Sequence, residues 1–137
     1  MSRGHEFPGL WINFEGGEGA SKTTQINLLG DDLKLDGYQV ILAREPGTTL
    51  AGEQIRDILQ NPSRPKLYPK TEMLLYVAAG VEFFEQVLKP CLKAGGVCVT
   101  DRWRYSTMAY QGYGLGIDLK KINELTRFSC EGAYPDI

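Results

Sequence analysis

Metal-binding and disulfide-forming residues are scarce in this chain of 137 residues. It has three cysteines, Cys91, Cys98 and Cys130, and a single histidine, His5, in a polar opening segment. No CxxC pair occurs, so neither a disulfide framework nor a cysteine–histidine zinc site is expected. Buried free thiols in a reducing compartment fit better, which makes the cytoplasm the expected location. No apolar run approaches the ~20 residues of a membrane span. The opening stretch MSRGHEFPGL lacks the apolar core of a secretory signal. Excess charge of one sign is missing too: 15 Lys and Arg against 17 Asp and Glu leave a net charge of -2. That balance excludes the basic surface of a general nucleic-acid binder, so neither nucleic acid nor membrane is an expected partner.

What is present is the composition of a folded protein. Hydrophobic residues make up 42% and charged residues 23%, and the length suits one domain, residues 1–137. Leu10-Trp11-Ile12-Asn13-Phe14 reads as a strand running into a glycine cluster. From Lys22 to about Asp36, Ile26, Leu29 and Leu33 recur at helical spacing, with Gly37 as the stop. Val40-Ile41-Leu42-Ala43 is a compact run suited to a buried parallel strand. A short helix over Ala51 to Gln60 follows, turning Ile55, Ile58 and Leu59 inward. Pro62, Pro65 and Pro69 then make a rigid connection. Thr71 to about Lys93 predicts a long helix carrying Leu74, Leu75, Ala78, Val81, Leu88 and Leu92, kinked at Pro90 and ended by Gly95-Gly96. Val97-Cys98-Val99-Thr100 is a third strand, delivering Asp101 and Arg102 at its carboxyl end. Ser106 to Gln111 predicts a helical turn, Gly112 to Gly116 a loop, and Leu119 to Phe128 a further helix. Pro135-Asp136-Ile137 reads as the entry to a fourth strand.

Strands alternating with helices predict an α/β fold, a parallel sheet wrapped by helices and left incomplete at three strands. Right-handed crossovers put every strand's carboxyl end on one edge, where such folds bind ligands. That edge would gather the Gly16–Thr23 loop, the Arg44–Thr49 loop and the Asp101–Tyr105 segment.

Gly16-Gly17-Glu18-Gly19-Ala20-Ser21-Lys22-Thr23 is close to GxxxxGK[ST], between an apolar strand and a periodic helix. Such a loop wraps backbone N–H groups around phosphates at a helix N-terminus. Lys22 would reach the outer phosphates and the Thr23 hydroxyl would bind magnesium. Ser21 stands where the pattern has glycine; its Cβ would crowd the phosphates, or cost ~1–2 kcal/mol in a left-handed backbone. Arg44 and Arg102, at strand ends, are the residue type that grips an acceptor phosphate in a fork, although each also suits an ordinary ion pair, Arg44 with Glu45. Tyr76, on a mostly apolar helix, suits the core as well as a ligand ring.

With the loop in place, other blocks become legible. Phe14 through Gln25 resembles the phosphate loop of bacterial thymidylate kinases, and Arg44-Glu45-Pro46-Gly47-Thr48-Thr49 resembles their REPGGT segment. Glu72 to Leu92 is similar to the family's long central helix. Asp101-Arg102-Trp103 with Ser106 and Ala109-Tyr110-Gln111-Gly112 resembles DR[YF]xxSxxAYQG. The blocks keep the family's order from Leu10 through Ile137. The resemblance implies a P-loop NTPase-like fold and transfer of the γ-phosphate of ATP to dTMP, with Mg2+, in a homodimer. It implies ATP contacts from Gly16, Gly17, Glu18, Gly19, Ala20, Ser21, Lys22, Thr23 and Thr24. It implies dTMP contacts from Arg44, Tyr76, Arg102, Ser106, Tyr110 and Gln111, with Tyr76 stacking on the base. Lys22, Glu18 and Arg102 would be catalytic, and Thr23 and Asp101 would influence the metal. Another P-loop nucleotide kinase and a noncatalytic nucleotide-binding module are the alternatives. Positions that depart from the family's pattern include Ser21, Thr48 for the second glycine of REPGGT, and Gly80 where the central helix carries an arginine toward the acceptor; Leu115 and Gly19 stand where some members carry further arginines. With no lid segment in the sequence, they imply weak turnover by residues 1–137.

Overall fold

The computed structural model describes residues 4–137. The first three residues, part of the stretch read for a secretory signal, lie outside the described residues. Three strands form the sheet: β1 (Leu10–Phe14), β2 (Val40–Arg44) and β3 (Val97–Asp101). They pair in the order β1-β3-β2, all parallel, and Phe14 and Arg44 both sit level with Asp101. The expected ligand edge is therefore a single row of strand ends.

Alternation along the strands assigns the two faces. Leu10, Ile12, Phe14, Val40, Leu42, Val97 and Val99 cluster with Ile26, Leu29 and Leu33 of α1 (Lys22–Leu35). Trp11, Ile41, Ala43 and Cys98 face the other way. There they meet Phe83, Phe84, Leu88 and Leu92, and Trp103 joins the same cluster. Trp11, Phe83, Phe84, Leu88 and Leu92 are fully buried; truncating either phenylalanine would cost about 3–5 kcal/mol.

The second face is covered by one long helical run. It begins as α3 (Pro69–Phe83), widens into a π-helical turn at Phe84–Leu88 and ends as α4 (Lys89–Lys93). Pro69 opens α3 instead of closing the connection, because proline's missing N–H costs nothing in a first turn. The expected irregularity at Pro90 is present as the π turn just before it. A proline ring clashes with the carbonyl four residues back, and a widened turn relieves that clash. The run stops in a Schellman arrangement: Gly95 N–H donates to Leu92 O and Gly96 N–H to Cys91 O, with Gly95 left-handed at φ 78°. Leu74, read as part of the apolar stripe, is 57% exposed, and the buried stripe runs instead through Met73, Ala79, Gly80 and Phe83.

The helix α2 (Leu50–Gln60) is capped by Thr49, whose hydroxyl accepts from Gly52 N–H at 2.9 Å. After β3 the chain forms α5 (Arg104–Thr107) and a π-helical segment, Met108–Gly114, before α6 (Leu119–Ser129). Helical structure thus continues through Gly112 and Gly114, where a loop was expected. Gly112 is buried against Leu119 and Ile122 of α6, which holds it in place.

Ile137 lies along the free edge of β1: Asn13 N–H donates to Ile137 O at 2.9 Å, and Ile137 N–H to Trp11 O at 3.3 Å. One residue straddling two neighbours in this way is the pattern of a parallel pair. His5 does not sit in a solvated segment. Its ring is 1% exposed, with Nε2 2.9 Å from Asp136 Oδ2. The Asp136 carboxylate also accepts from Gly4 N–H and Trp11 N–H. The three cysteines are buried and free. No helix among the described residues is long and apolar enough to cross a membrane.

Candidate functional site

The glycine loop joins β1 to α1 at the row of strand ends. Lys22 folds back so that Nζ donates to Gly17 O at 2.9 Å. Ser21, the residue before α1, is left-handed at φ 56°, ψ 23°, and its side chain caps nothing. Thr48 is left-handed as well, at φ 69°. Its hydroxyl bonds both the N–H and the carbonyl of Arg44, at 3.0 Å each.

A polar ladder links the loop to the segment after β3. Trp11 Nε1 donates to Thr100 Oγ1, and Thr100 donates to Asn13 Oδ1. Asn13 Nδ2 donates to Glu15, and Glu15 accepts in turn from Trp103 N–H and the Ser106 hydroxyl. Arg102 adds a second link. Its Nη2 pairs with Glu18 at 2.7 Å, while Nη1 donates to Ser106 and Tyr110 at 3.3 Å each. Arg102 is itself left-handed, at φ 73°, so the backbone turns sharply to aim this guanidinium.

Arg102, Glu18, Ser106 and Tyr110 open onto a cavity of about 520 Å³ lined by Glu18 to Thr23, Tyr76, Asp101, Arg102, Ser106, Tyr110 and Gln111, among others. Burial, then the Glu72 carboxylate, raises the Tyr76 hydroxyl above the usual tyrosine range. Gln111 is 2% exposed, and its amide donates to Glu72 at 2.9 Å. Of the residues expected at an acceptor, the cavity thus gathers Tyr76, Arg102, Ser106, Tyr110 and Gln111.

Arg44 is the exception. It opens onto a smaller neighbouring cavity and pairs with Glu53, at 3.0 Å, instead of Glu45. The alternation of β2 explains this: Arg44 shares the α1 face with Leu42, and Glu45 turns to the other. The Thr48 N–H first, then Arg44, hold the Glu53 carboxyl below its ordinary range. On the main cavity the basic residue from this part of the chain is Arg56 of α2, whose Nη1 donates to Pro46 O at 2.9 Å. Glu45 lines the same cavity. Burial, with Glu53 nearby, pushes its carboxyl up to about 9 against the pull of Arg56, and its Oε1 has no hydrogen-bond partner.

The glycine loop, an arginine paired with the loop's own acid, and an aromatic–amide wall thus share one cavity. The model of thymidylate kinases matches residues 14–137. The chain belongs to the thymidylate kinase family. It is 41% identical over 129 residues to a thymidylate kinase of Exiguobacterium sp. and 46% identical over 129 residues to one of Pelotomaculum thermopropionicum. Each alignment covers 94% of this chain, and 61% and 60% of the relative respectively. The chain therefore spans about three fifths of the length of these curated relatives. The crystal structure of a thymidylate kinase from Ehrlichia chaffeensis superposes with a TM-score of 0.86 at 38% identity, covering 94% of this chain and 72% of that one.

Three residues at the site were not legible as such from the sequence: Glu15, Glu45 and Arg56. Arg56 lies on a helix for which only the inward residues Ile55, Ile58 and Leu59 were read, and Glu45 looked like a partner for its neighbour Arg44. Glu15 carried a usable signal: it is the residue between the strand and the glycines, in register to continue the face of Trp11 and Asn13.

Proposed function

We propose that the cavity takes ATP and dTMP and serves transfer of the γ-phosphate of ATP to dTMP, giving dTDP. The observation that carries this reading is the Arg102–Glu18 pair, which ties an acceptor-side cation to the phosphate loop itself. Phosphoryl transfer is mostly positioning and charge neutralisation, so it needs cations on both reactants. On the donor side Gly16 through Thr24 wrap the ATP phosphates, with Lys22 moving from Gly17 O to the outer phosphates. On the acceptor side Arg102 holds the dTMP phosphate, and Arg56 takes the position first read for Arg44. Glu18 orients Arg102 and the sugar hydroxyl. Tyr76 stacks on the base, with Ser106, Tyr110 and Gln111 around the base and sugar.

Magnesium fits the donor set. Among the described residues no group of three or more His, Cys, Asp or Glu side chains is placed to hold a metal, which argues against an all-protein cage. Magnesium instead favours one or two protein oxygens completed by phosphates and water. The Thr23 hydroxyl and the Asp101 carboxylate, both at the main cavity, would hold it. When bound it would neutralise charge on the transferred phosphoryl group.

Residues 1–137 form one phosphate-loop domain of a cytoplasmic homodimer on this reading. Exposed Leu50 and Leu74, on the packed pair α2 and α3, support an apolar contact between copies. Titration of the purified chain with nucleoside monophosphates tests the site. Binding of dTMP at least tenfold tighter than guanosine monophosphate is expected, because buried base-edge hydrogen bonds discriminate strongly. Equal affinities reject a thymidylate site.

A further inference from the structure

The polar ladder beneath the strand ends has a direction. Trp11 Nε1 donates to Thr100 Oγ1 at 3.0 Å, and the Thr100 hydroxyl donates in turn to Asn13 Oδ1 at 2.8 Å. With its oxygen taken, the Asn13 amide turns its NH2 to Glu15 Oε1, at 3.0 Å. Trp103 N–H reaches the same oxygen at 2.9 Å, and the Ser106 hydroxyl donates to Oε2. A carboxylate accepts and does not donate, so the Ser106 proton points at Glu15 and the Ser106 oxygen is left as an acceptor. One side of that oxygen receives Arg102 Nη1 at 3.3 Å. Ser106 lines the main cavity, with Glu15 behind it.

We propose that Glu15 is a positioning residue for the acceptor nucleotide: by taking the Ser106 proton it makes Ser106 an acceptor, which reads an N–H or O–H donor on dTMP. This rests on the reading of the cavity as a dTMP site. Away from its phosphate dTMP offers two such donors, the ring N–H of the base and the sugar hydroxyl. The carboxylate is what sets the polarity. A glutamine at this position would keep its single oxygen on Trp103 N–H and Asn13 Nδ2 and turn its own NH2 to Ser106. The serine oxygen would then accept from the amide, and its proton would be free to point into the cavity. Acceptor would become donor, and a donor on the ligand would be met by a donor. Because the Trp103 N–H bond survives this exchange, the turn that aims Arg102, left-handed at φ 73°, is kept.

The test is calorimetric titration of the full chain, Glu15→Gln, Ser106→Ala and the double variant. The ligands are ATP, dTMP, its N3-methyl derivative, which lacks the base donor, and its 3′-deoxy derivative, which lacks the sugar donor. The unaltered chain should bind at least one of the two derivatives about tenfold more weakly than dTMP, and which one it is tells whether base or sugar supplies the donor. In Glu15→Gln and in Ser106→Ala that gap should shrink to about threefold or less, and the double variant should lose no more than either single one. ATP affinity should stay unchanged throughout. Glu15→Asp, which keeps a carboxylate near Trp103 but is one methylene short of Ser106, should narrow the gap as well and serves if the glutamine variant does not fold. A gap that persists in the Glu15 variants gives the donor to another residue and overturns the proposal. So does the absence of a gap for both derivatives, and so does an equal loss for ATP and dTMP, which marks a distorted loop. If the unaltered chain binds no dTMP, the reading of the cavity fails and this proposal with it. If it binds dTMP and the Glu15 variants discriminate as it does, only the assignment of Glu15 fails.

Discussion

Replacing Ser21 and Thr48 by glycine, one at a time, separates backbone strain from the bonds that offset it. Both residues are left-handed, at φ 56° and 69°, where a side chain costs about 1–2 kcal/mol. Glycine removes that cost but adds freedom to the unfolded chain, worth about 0.5–1 kcal/mol. At Ser21 nothing else changes, because its side chain caps nothing. Ser21→Gly should therefore stabilise the fold by about 0.5–1 kcal/mol, or about 2–5 °C in Tm for a chain of this size. At Thr48 the hydroxyl makes two 3.0 Å bonds to Arg44, each worth about 0.5–1.5 kcal/mol net. Their loss should cancel the relief of strain, leaving Thr48→Gly neutral or destabilising. Urea unfolding followed by tryptophan fluorescence reads both, since Trp11 and Trp103 are 0% and 7% exposed. Ser21→Ala supplies the control and should not move, because it keeps the Cβ that causes the strain. A midpoint for Ser21→Gly at or below the unaltered chain, with unchanged m-value, refutes the reasoning.

Lys22→Ala should weaken ATP binding by at least tenfold while leaving the unfolding midpoint within error, since Lys22 makes one exposed bond; calorimetry with unchanged ATP affinity would remove the phosphate-loop assignment. Glu45, raised from 4.5 to about 9 and flanked by Glu53 and Arg56, makes stability depend on pH. Between those values the folded chain holds one more proton than the unfolded chain, so stability is full below pH 4.5 and falls as pH rises toward 9. The slope is about 1.4 kcal/mol per pH unit at its steepest. Glu45→Gln should abolish that slope and be the more stable form at pH 8.5; parallel slopes in urea titrations at pH 6 and 8.5 would contradict this.

The alternating strands, the glycine loop and the order of elements were legible because each is a local signal. The apolar run from Leu10 to Phe14, or Lys22 after a glycine run, needs no partner to be recognised. Features decided by distant packing were not legible. Leu74 is as apolar as Met73, and only the position of the sheet says which of them is covered. Arg44 opens onto the neighbouring cavity instead of the main one because β2 ends on the α1 face, and that parity depends on where the strand stops. The π turn at Phe84–Leu88 lies beside the proline that was read as a kink, so cause and place were visible though the form was not. The segment around His5 read only as polar, because its acid, Asp136, lies far away in the sequence.

That last contact binds the molecule into a ring. Gly4 and Asp136, 132 positions apart, share a hydrogen bond, and Tyr134 N–H returns one to Gly4 O at 2.8 Å. Closing a loop of that length costs about 4 kcal/mol of chain entropy beyond the constant term, so such contacts belong late in folding. Once made, they couple two stretches that are strangers in sequence. The residues preceding β1 and those reaching Ile137 should open together in hydrogen exchange, as one cooperative unit, so that a cut in either stretch loosens the outer edge of β1 as well.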